Sequence, residues 1–158
     1  MVHAAIYRAP AGSILVAESG DASYALAGGN VCAIAQRRGI NGFVFDGSIR
    51  DIAEVRERNF PVFARGAVPF PGGKNHVDTL NDKPVTCGGV VVHPGDYVVA
   101  DEDGVVVIPR ANALDVVRRA AGRLDKESAQ SLDEWEAAHC EKIASLIRAK
   151  DASDNEPR

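Results

Sequence analysis

Apolar residues along the first two thirds of the chain fall in short runs with strand character, and along the remainder they recur with helical spacing, the change coming near Pro109. The runs are SILVAES at 13–19, FVFDG at 43–47, PVFARG at 61–66, VTCGGVVV at 85–92, YVVAD at 97–101 and GVVVIP at 104–109. They are rich in Val, Ile and Phe, which pack well on a pleated surface, and most are bounded by Gly, Pro or Asp. Two helices are expected between the early strands. The first starts at Asn30 as N-cap, runs through VCAIAQRR and stops at Gly39, and the second covers about Asp51 to Arg58. The order strand, helix, strand, helix, strand over 13–66 predicts a βαβ-like unit, whereas PGD at 94–96 and DEDG at 101–104 read as tight turns linking later strands into an antiparallel meander. From Ala111 to Lys150 the spacing of Leu132, Trp135, Ile143, Leu146 and Ile147 predicts two helices broken around Asp125–Ser131. The expected fold class is α/β, one domain over 1–150 with C-terminal helices, followed by a flexible polar tail over 151–158.

Composition agrees with a soluble globular domain: 158 residues, 46% apolar and 25% charged, enough to bury a core. No window approaches the ~18 apolar residues of a membrane span, and MVHAAIYRAPAG lacks the basic flank and apolar run of a secretory signal, so a cytoplasmic location is expected. Net charge is −4, with 18 basic residues scattered among 22 acidic ones, which argues against nucleic acid or a membrane surface as partner. Cys32, Cys87 and Cys140 show no CxxC spacing and signal neither a disulfide framework nor a zinc site.

Three stretches carry candidate chemistry. In Ala27-Gly28-Gly29-Asn30-Val31 a glycine pair precedes a helix start, so backbone N–H groups and the positive end of a helix dipole converge where a carboxylate or phosphate could bind; a plain strand-to-helix turn explains the glycines as well. Asp46-Gly47-Ser48-Ile49-Arg50-Asp51-Ile52-Ala53-Glu54 follows the apolar strand FVF, at the strand end where open α/β sheets bind ligands. There Arg50 offers a planar cationic fork for a carboxylate or enolate oxygen, and Asp51 a hard oxygen ligand for Mg²⁺ or Mn²⁺. The competing reading makes Asp51 an N-cap, Glu54 its capping-box partner and Arg50 a surface ion pair. The third stretch, AVPFPGGKNHVDTLNDKP at 67–84, is long for a connection and reads as a binding loop carrying Lys74 and His76. Asp101-Glu102-Asp103 is explained by a hairpin turn, and His93 and His139 read as structural or surface residues.

Taken in order, these pieces resemble the RraA-like family, which groups regulators of ribonuclease E activity with hydroxymethyl-oxoglutarate and related pyruvate aldolases. The aldolase branch carries a glycine, twenty intervening residues and then Arg-Asp-x-x-Glu/Asp; Gly29, the stretch Asn30 to Ile49 and Arg50-Asp51-Ile52-Ala53-Glu54 match it throughout. CGGVVVHPGDYVVADEDGVVVIP from Cys87 to Pro109 and DEWEAAH at 133–139 resemble later family signatures. The resemblance implies the swivelling β/β/α domain, with the family's N-terminal portion lacking before MVHAA. It also implies a divalent-metal-dependent lyase, with Mg²⁺ or Mn²⁺, that cleaves 4-hydroxy-2-oxo diacids to pyruvate by retro-aldol reaction, decarboxylates oxaloacetate, or both. Implied roles are the amides of Gly28, Gly29, Asn30 and Val31 for the substrate carboxylate, Arg50 for the oxo or enolate oxygen, Asp51 for the metal and Glu54 to orient that pair. Lys74 corresponds to a basic loop residue, His3 to an early histidine near the site, and Glu127 to an acidic residue of a neighbouring subunit that holds a metal-bound water. Sites of that family lie between subunits of a homotrimer, often paired into a hexamer. Alternatives within the resemblance are a non-catalytic protein-binding regulator of ribonuclease E and a methyltransferase.

Overall fold

The computed structural model describes residues 2–73 and 83–154, with side chains as far as Asp151. The chain divides into two compact units, Met1–Ala113 and Leu114–Arg158.

The first unit is built on a parallel sheet. Strands β1 (Ile14–Glu18), β2 (Gly42–Ile49) and β3 (Val62–Ala67) lie in that order, with Ile14 beside Gly42 and Phe43 beside Val62. Helices α2 (Gly29–Arg37) and α3 (Ile52–Glu57) make the two crossovers, and a short α1 (Val2–Arg8), which the sequence pattern had not indicated, precedes them. β2 is central and buried along nearly its whole length, as its run FVF requires in a sheet covered on both faces. Phe43 stacks on Phe45 at 4.9 Å between ring centroids and meets Phe60 edge-on at 5.0 Å. Val2 and Ile6 of α1, Cys32 and Ala35 of α2, and Val55 of α3 complete that core.

Both crossover helices end alike. The Gly39 amide donates to Gln36 and that of Ile40 to Ala35; after α3, Asn59 donates to Arg56 and Phe60 to Val55, the paired bonds of a Schellman motif. The residue in the left-handed position is Gly39 (φ 77°) in one case and Asn59 (φ 52°) in the other. Gly39 therefore stands in the terminal role read from the sequence. The other end of α2 differs from expectation: Gly28, extended at φ −148°, is the N-cap, and Asn30 is already helical and exposed.

Beyond the parallel unit come hairpins rather than a meander. VTCGGVVV splits into β4 (Val85–Cys87) and β5 (Val90–Val92), because Gly88 and Gly89, at φ 58° and 81°, make the tight turn. Among the described residues, β6 (Tyr97–Asp101) pairs with β7 (Gly104–Ile108) alone. Pro94 has no N–H for a ladder, and the Asp96 carboxylate closes the connection by accepting the amide protons of His93 at 2.9 Å and Arg110 at 3.0 Å. Val98, Val105 and Val107 of the second hairpin line a cavity of about 670 Å³ against Val16, Val44 and Val62 of the sheet, while Tyr97, Val99 and Val106 face outward, each more than half exposed.

The second unit holds most of α4 (Ala113–Ser128) and all of α5 (Leu132–Asp154). The break is narrower than expected, because Ser131 and Glu134 form a capping box: the Ser131 amide and hydroxyl donate to the Glu134 carboxylate and the Glu134 amide donates to Ser131 Oγ at 3.3 Å. α5 also runs through Asp154, so the segment expected as tail begins inside a helix. Among the described residues no helix is long and apolar enough to cross a membrane.

Candidate active site

The end of β2 is stitched to the segment that leads into α2. Leu26 donates its amide to Ser48 at 2.8 Å and Arg50 donates to Ala27 at 3.0 Å, so Gly28 and Gly29 are laid directly against Arg50 and Asp51. Ser48, buried, fixes the approach from the other side by donating its hydroxyl to the Ala22 carbonyl at 2.7 Å.

Asp51 occupies the N-cap position of α3 without capping it. Its backbone is left-handed, φ 58° and ψ 41°, and no amide of α3 donates to its side chain. Instead, Oδ2 accepts the amide proton of Gly29 at 3.0 Å and lies 3.6 Å from Arg50 Nε. The capping-box reading of Asp51 and Glu54 therefore fails, and the strained conformation, more tolerable for Asp than for most side chains, aims the carboxylate across at α2. Both contacts use Oδ2. The Glu54 carboxylate rests against the Cα of Gly29, close enough that a Cβ there would collide with it, and a Cβ on Gly28 would meet Asp51 and Arg50. Gly28 and Gly29 are buried, whereas the Arg50 and Asp51 side chains keep 42% and 35% of their surface open to solvent, so the cluster is reachable by a small solute. Behind it lies Cys32, whose thiol burial, and secondarily the charge of Asp51, pushes up to about 11; it is a packing residue and no nucleophile.

The structure thus gathers Gly28, Gly29, Arg50, Asp51 and Glu54, with Asn30 and Val31 in the first turn of α2. The Gly29 amide, expected to bind a substrate carboxylate, is already engaged by Asp51. His3 is exposed on α1, and none of the hydrogen bonds or ion pairs among the described residues joins it to the cluster. Glu127 belongs to the second unit and is held there by Arg123, one turn earlier, at 2.7 Å. Lys74 and His76 lie outside the described residues.

One charged arrangement nearby was not anticipated. Glu18, at the end of β1, and Asp46, within β2, are register partners, and each accepts an amide proton from the β4–β5 hairpin, from Thr86 at 2.9 Å and Gly88 at 3.0 Å. Arg65 of β3 also pairs with Asp46, and the guanidinium, followed by the Gly88 amide, holds that carboxyl below its ordinary value. The available signal was an acid following the apolar run of each strand, Glu18 after ILVA and Asp46 after FVF.

No group of three or more His, Cys, Asp or Glu side chains forms a cage among the described residues. Mg²⁺ needs none, since it commonly takes one or two carboxylates and keeps water for the rest. Asp51 and Glu54, converging at Gly29, fit that donor set.

An open parallel sheet with an acid, a guanidinium and a helix start gathered at a strand end defines an α/β protein with a candidate ligand site at that end. The chain belongs to the RraA-like family: the family model described as Aldolase/RraA matches residues 1–107. A protein of Halalkalibacterium halodurans bearing the name "Putative 4-hydroxy-4-methyl-2-oxoglutarate aldolase" is 42% identical over 117 residues, covering 73% of this chain and 55% of its own length. Among solved structures, Streptomyces coelicolor RraAS2, described as an unusual member of the RNase ES inhibitor RraA family, superposes with a TM-score of 0.72 at 35% identity, covering 79% of this chain and 64% of that one. A Geobacillus kaustophilus protein titled S-adenosylmethionine: 2-dimethylmenaquinone methyltransferase gives 0.65 at 37% identity, covering 69% and 68%. The chain spans about half the length of the aldolase-named relative. The α/β RraA-like fold expected from the sequence is thus established.

Proposed function

We propose that this protein is a divalent-metal-dependent lyase of the pyruvate aldolase type, cleaving a 4-hydroxy-2-oxo diacid to pyruvate and decarboxylating oxaloacetate. The observation that carries the reading is the convergence of Arg50, Asp51 and Glu54 on the Gly28–Gly29 entry to α2. A purely structural turn does not need a left-handed aspartate beside a half-exposed arginine, and backbone strain of this kind gathers at working sites.

Asp51 and Glu54 are the residues that would hold Mg²⁺ or Mn²⁺. When bound, such an ion supplies a Lewis acid that polarises the 2-oxo group and lowers the energy of the enolate. Asp51 Oδ2 is held by the Gly29 amide, which keeps the side chain from turning back onto its own helix. Arg50 reaches the oxo or enolate oxygen with a permanent charge, the type of electrostatic stabilisation that dominates reactions developing an oxyanion. The amides of Asn30 and Val31, in the first turn of α2, receive the substrate carboxylate at the positive end of the helix. Lys74 and His3 are second-rank substrate contacts in this proposal.

The site is completed by a second copy in a homotrimer or a pair of trimers. Support comes from the β6–β7 hairpin, apolar on both faces, with Tyr97, Val99 and Val106 outward. Glu127 of a neighbouring subunit is the acidic group proposed to hold metal-bound water, which requires it to leave its ion pair with Arg123.

Pyruvate release from oxaloacetate and from hydroxymethyl-oxoglutarate, with and without Mg²⁺, tests the reading. Turnover with metal that chelator abolishes is expected; turnover indifferent to chelator, or none with either acid, overturns it. Sedimentation is expected to give a trimer or hexamer, and a stable monomer at micromolar concentration would remove the neighbour's contribution.

A further inference from the structure

We infer that Gly29 is a positioning residue, its missing side chain being what allows the carboxylates of Asp51 and Glu54 both to rest against it. Backbone freedom does not explain the glycine. It is the first residue of α2, and it is absent from the positions with positive φ among the described residues, so alanine would be accepted by the backbone and preferred by the helix. What an alanine would meet is Glu54. A Cβ at position 29 would collide with Glu54 Oε2 and lie 3.0 Å from its Cδ and 3.1 Å from its Cβ. The same residue donates its amide to Asp51 Oδ2 at 3.0 Å. One glycine therefore touches both acids, Asp51 through its N–H and Glu54 through its bare Cα. The two acids stand at the cap position and the first turn of α3, three residues apart and on one side, so their separation depends on the surface they both lie on.

The collision falls mainly on the mobile end of a long side chain, which can swing away into solvent. An added methyl group thus moves the Glu54 carboxylate more than it disturbs the fold, and the loss appears in chemistry. Gly28 seats Asp51 and Arg50 in the same way: a Cβ there would strike Asp51 Oδ2 and lie 2.9 Å from both Cγ and Nε of Arg50. The consequence for catalysis rests on the proposed lyase function, whereas the contact itself does not.

Two measurements separate these. Gly29→Ala and Glu54→Ala are made singly and together, and their urea midpoints compared as a double-mutant cycle. Gly29→Ala is expected to lower the midpoint when Glu54 is present and to lower it less, or raise it, once Glu54→Ala has removed the carboxylate. Equal shifts in the two backgrounds overturn the inference, whatever the protein catalyses. In the pyruvate-release assay Gly29→Ala is expected to cut kcat about tenfold to a hundredfold with a smaller change in KM, the scale of a displaced catalytic group. Adding Glu54→Asp, one methylene shorter, is expected to recover a large part of that loss. A coupled midpoint without this recovery overturns the positioning role, and a parent protein that releases no pyruvate refutes the lyase reading while the urea cycle still decides the contact.

Discussion

Asp51 stands where it could cap α3, yet it accepts the amide proton of Gly29, 22 residues earlier in the chain, at 3.0 Å. Asn at position 51 tolerates the left-handed backbone and retains an oxygen for that amide, so Asp51→Asn separates charge from shape. Thermal melting is expected to stay near that of the parent, while metal-dependent pyruvate release falls by about 10²–10³, the scale set by loss of a key electrostatic group. Arg50→Lys is expected to cost as much, because a point charge cannot replace a planar fork. Parental rates in both variants would show the two residues to be scaffold.

Acid should loosen the junction between the sheet and the β4–β5 hairpin. Asp46 is held below its ordinary carboxyl value by the Arg65 guanidinium and the Gly88 amide, so folding favours its charged form. That contribution is complete above the ordinary value near 3.8 and is lost as pH falls through the lower, folded value. Asp96, held down by the His93 and Arg110 amides, contributes with the same sign. Urea midpoints are therefore expected to drop below about pH 4, and Asp46→Asn to flatten part of that drop. Curves of the parent and Asp46→Asn that run parallel through this range would exclude Asp46 as a source.

Asn59 offers a stability test away from the chemistry. It occupies the left-handed position that closes α3, the place Gly39 fills after α2. Asn59→Gly is expected to raise stability by a few tenths to ~1 kcal/mol, and Asn59→Val to lower it by ~1–2 kcal/mol, both read as shifts in the thermal midpoint with pyruvate release unaltered.

Thiol chemistry should follow burial. Cys140 is exposed, Cys87 half-buried and Cys32 buried with its acidity suppressed to about 11. With a disulfide reagent at pH 8, Cys140 is expected to react first and Cys32 only on unfolding. Rapid labelling of Cys32 in the native protein would mean that the entry to α2 opens readily.

The parallel unit was legible because each strand is a single apolar run and Gly39 marks a helix end by its own chemistry. The hairpin inside 85–92 was not, since an unbroken run of β-formers conceals a turn that depends on two left-handed glycines. At the site, the spacing from Gly29 to Arg50 and Asp51 singled out residues that the fold brings together, while the competing reading of Asp51 as a helix cap does not hold. Capping is a local habit of aspartate, and only the hydrogen bonds of Leu26 and Arg50 across the sheet, invisible in sequence, turn its carboxylate toward Gly29. Asn30 lost the N-cap position for the same reason: the orphan amide at the helix start already had a distant acceptor.

The short reach of that parallel unit bears on how the protein acquires its shape. β1, β2 and β3 are sequence neighbours as well as sheet neighbours, and the cluster from Gly28 to Glu54 is enclosed by them. Closing the shorter loops between these strands loses less entropy than closing a longer one. The clamp from Glu18 to Thr86 spans 68 residues and must wait for a much longer loop to close. By that order, the stretch of chain that carries the chemistry is also the one able to organise itself first, with the hairpins arriving on a platform already made.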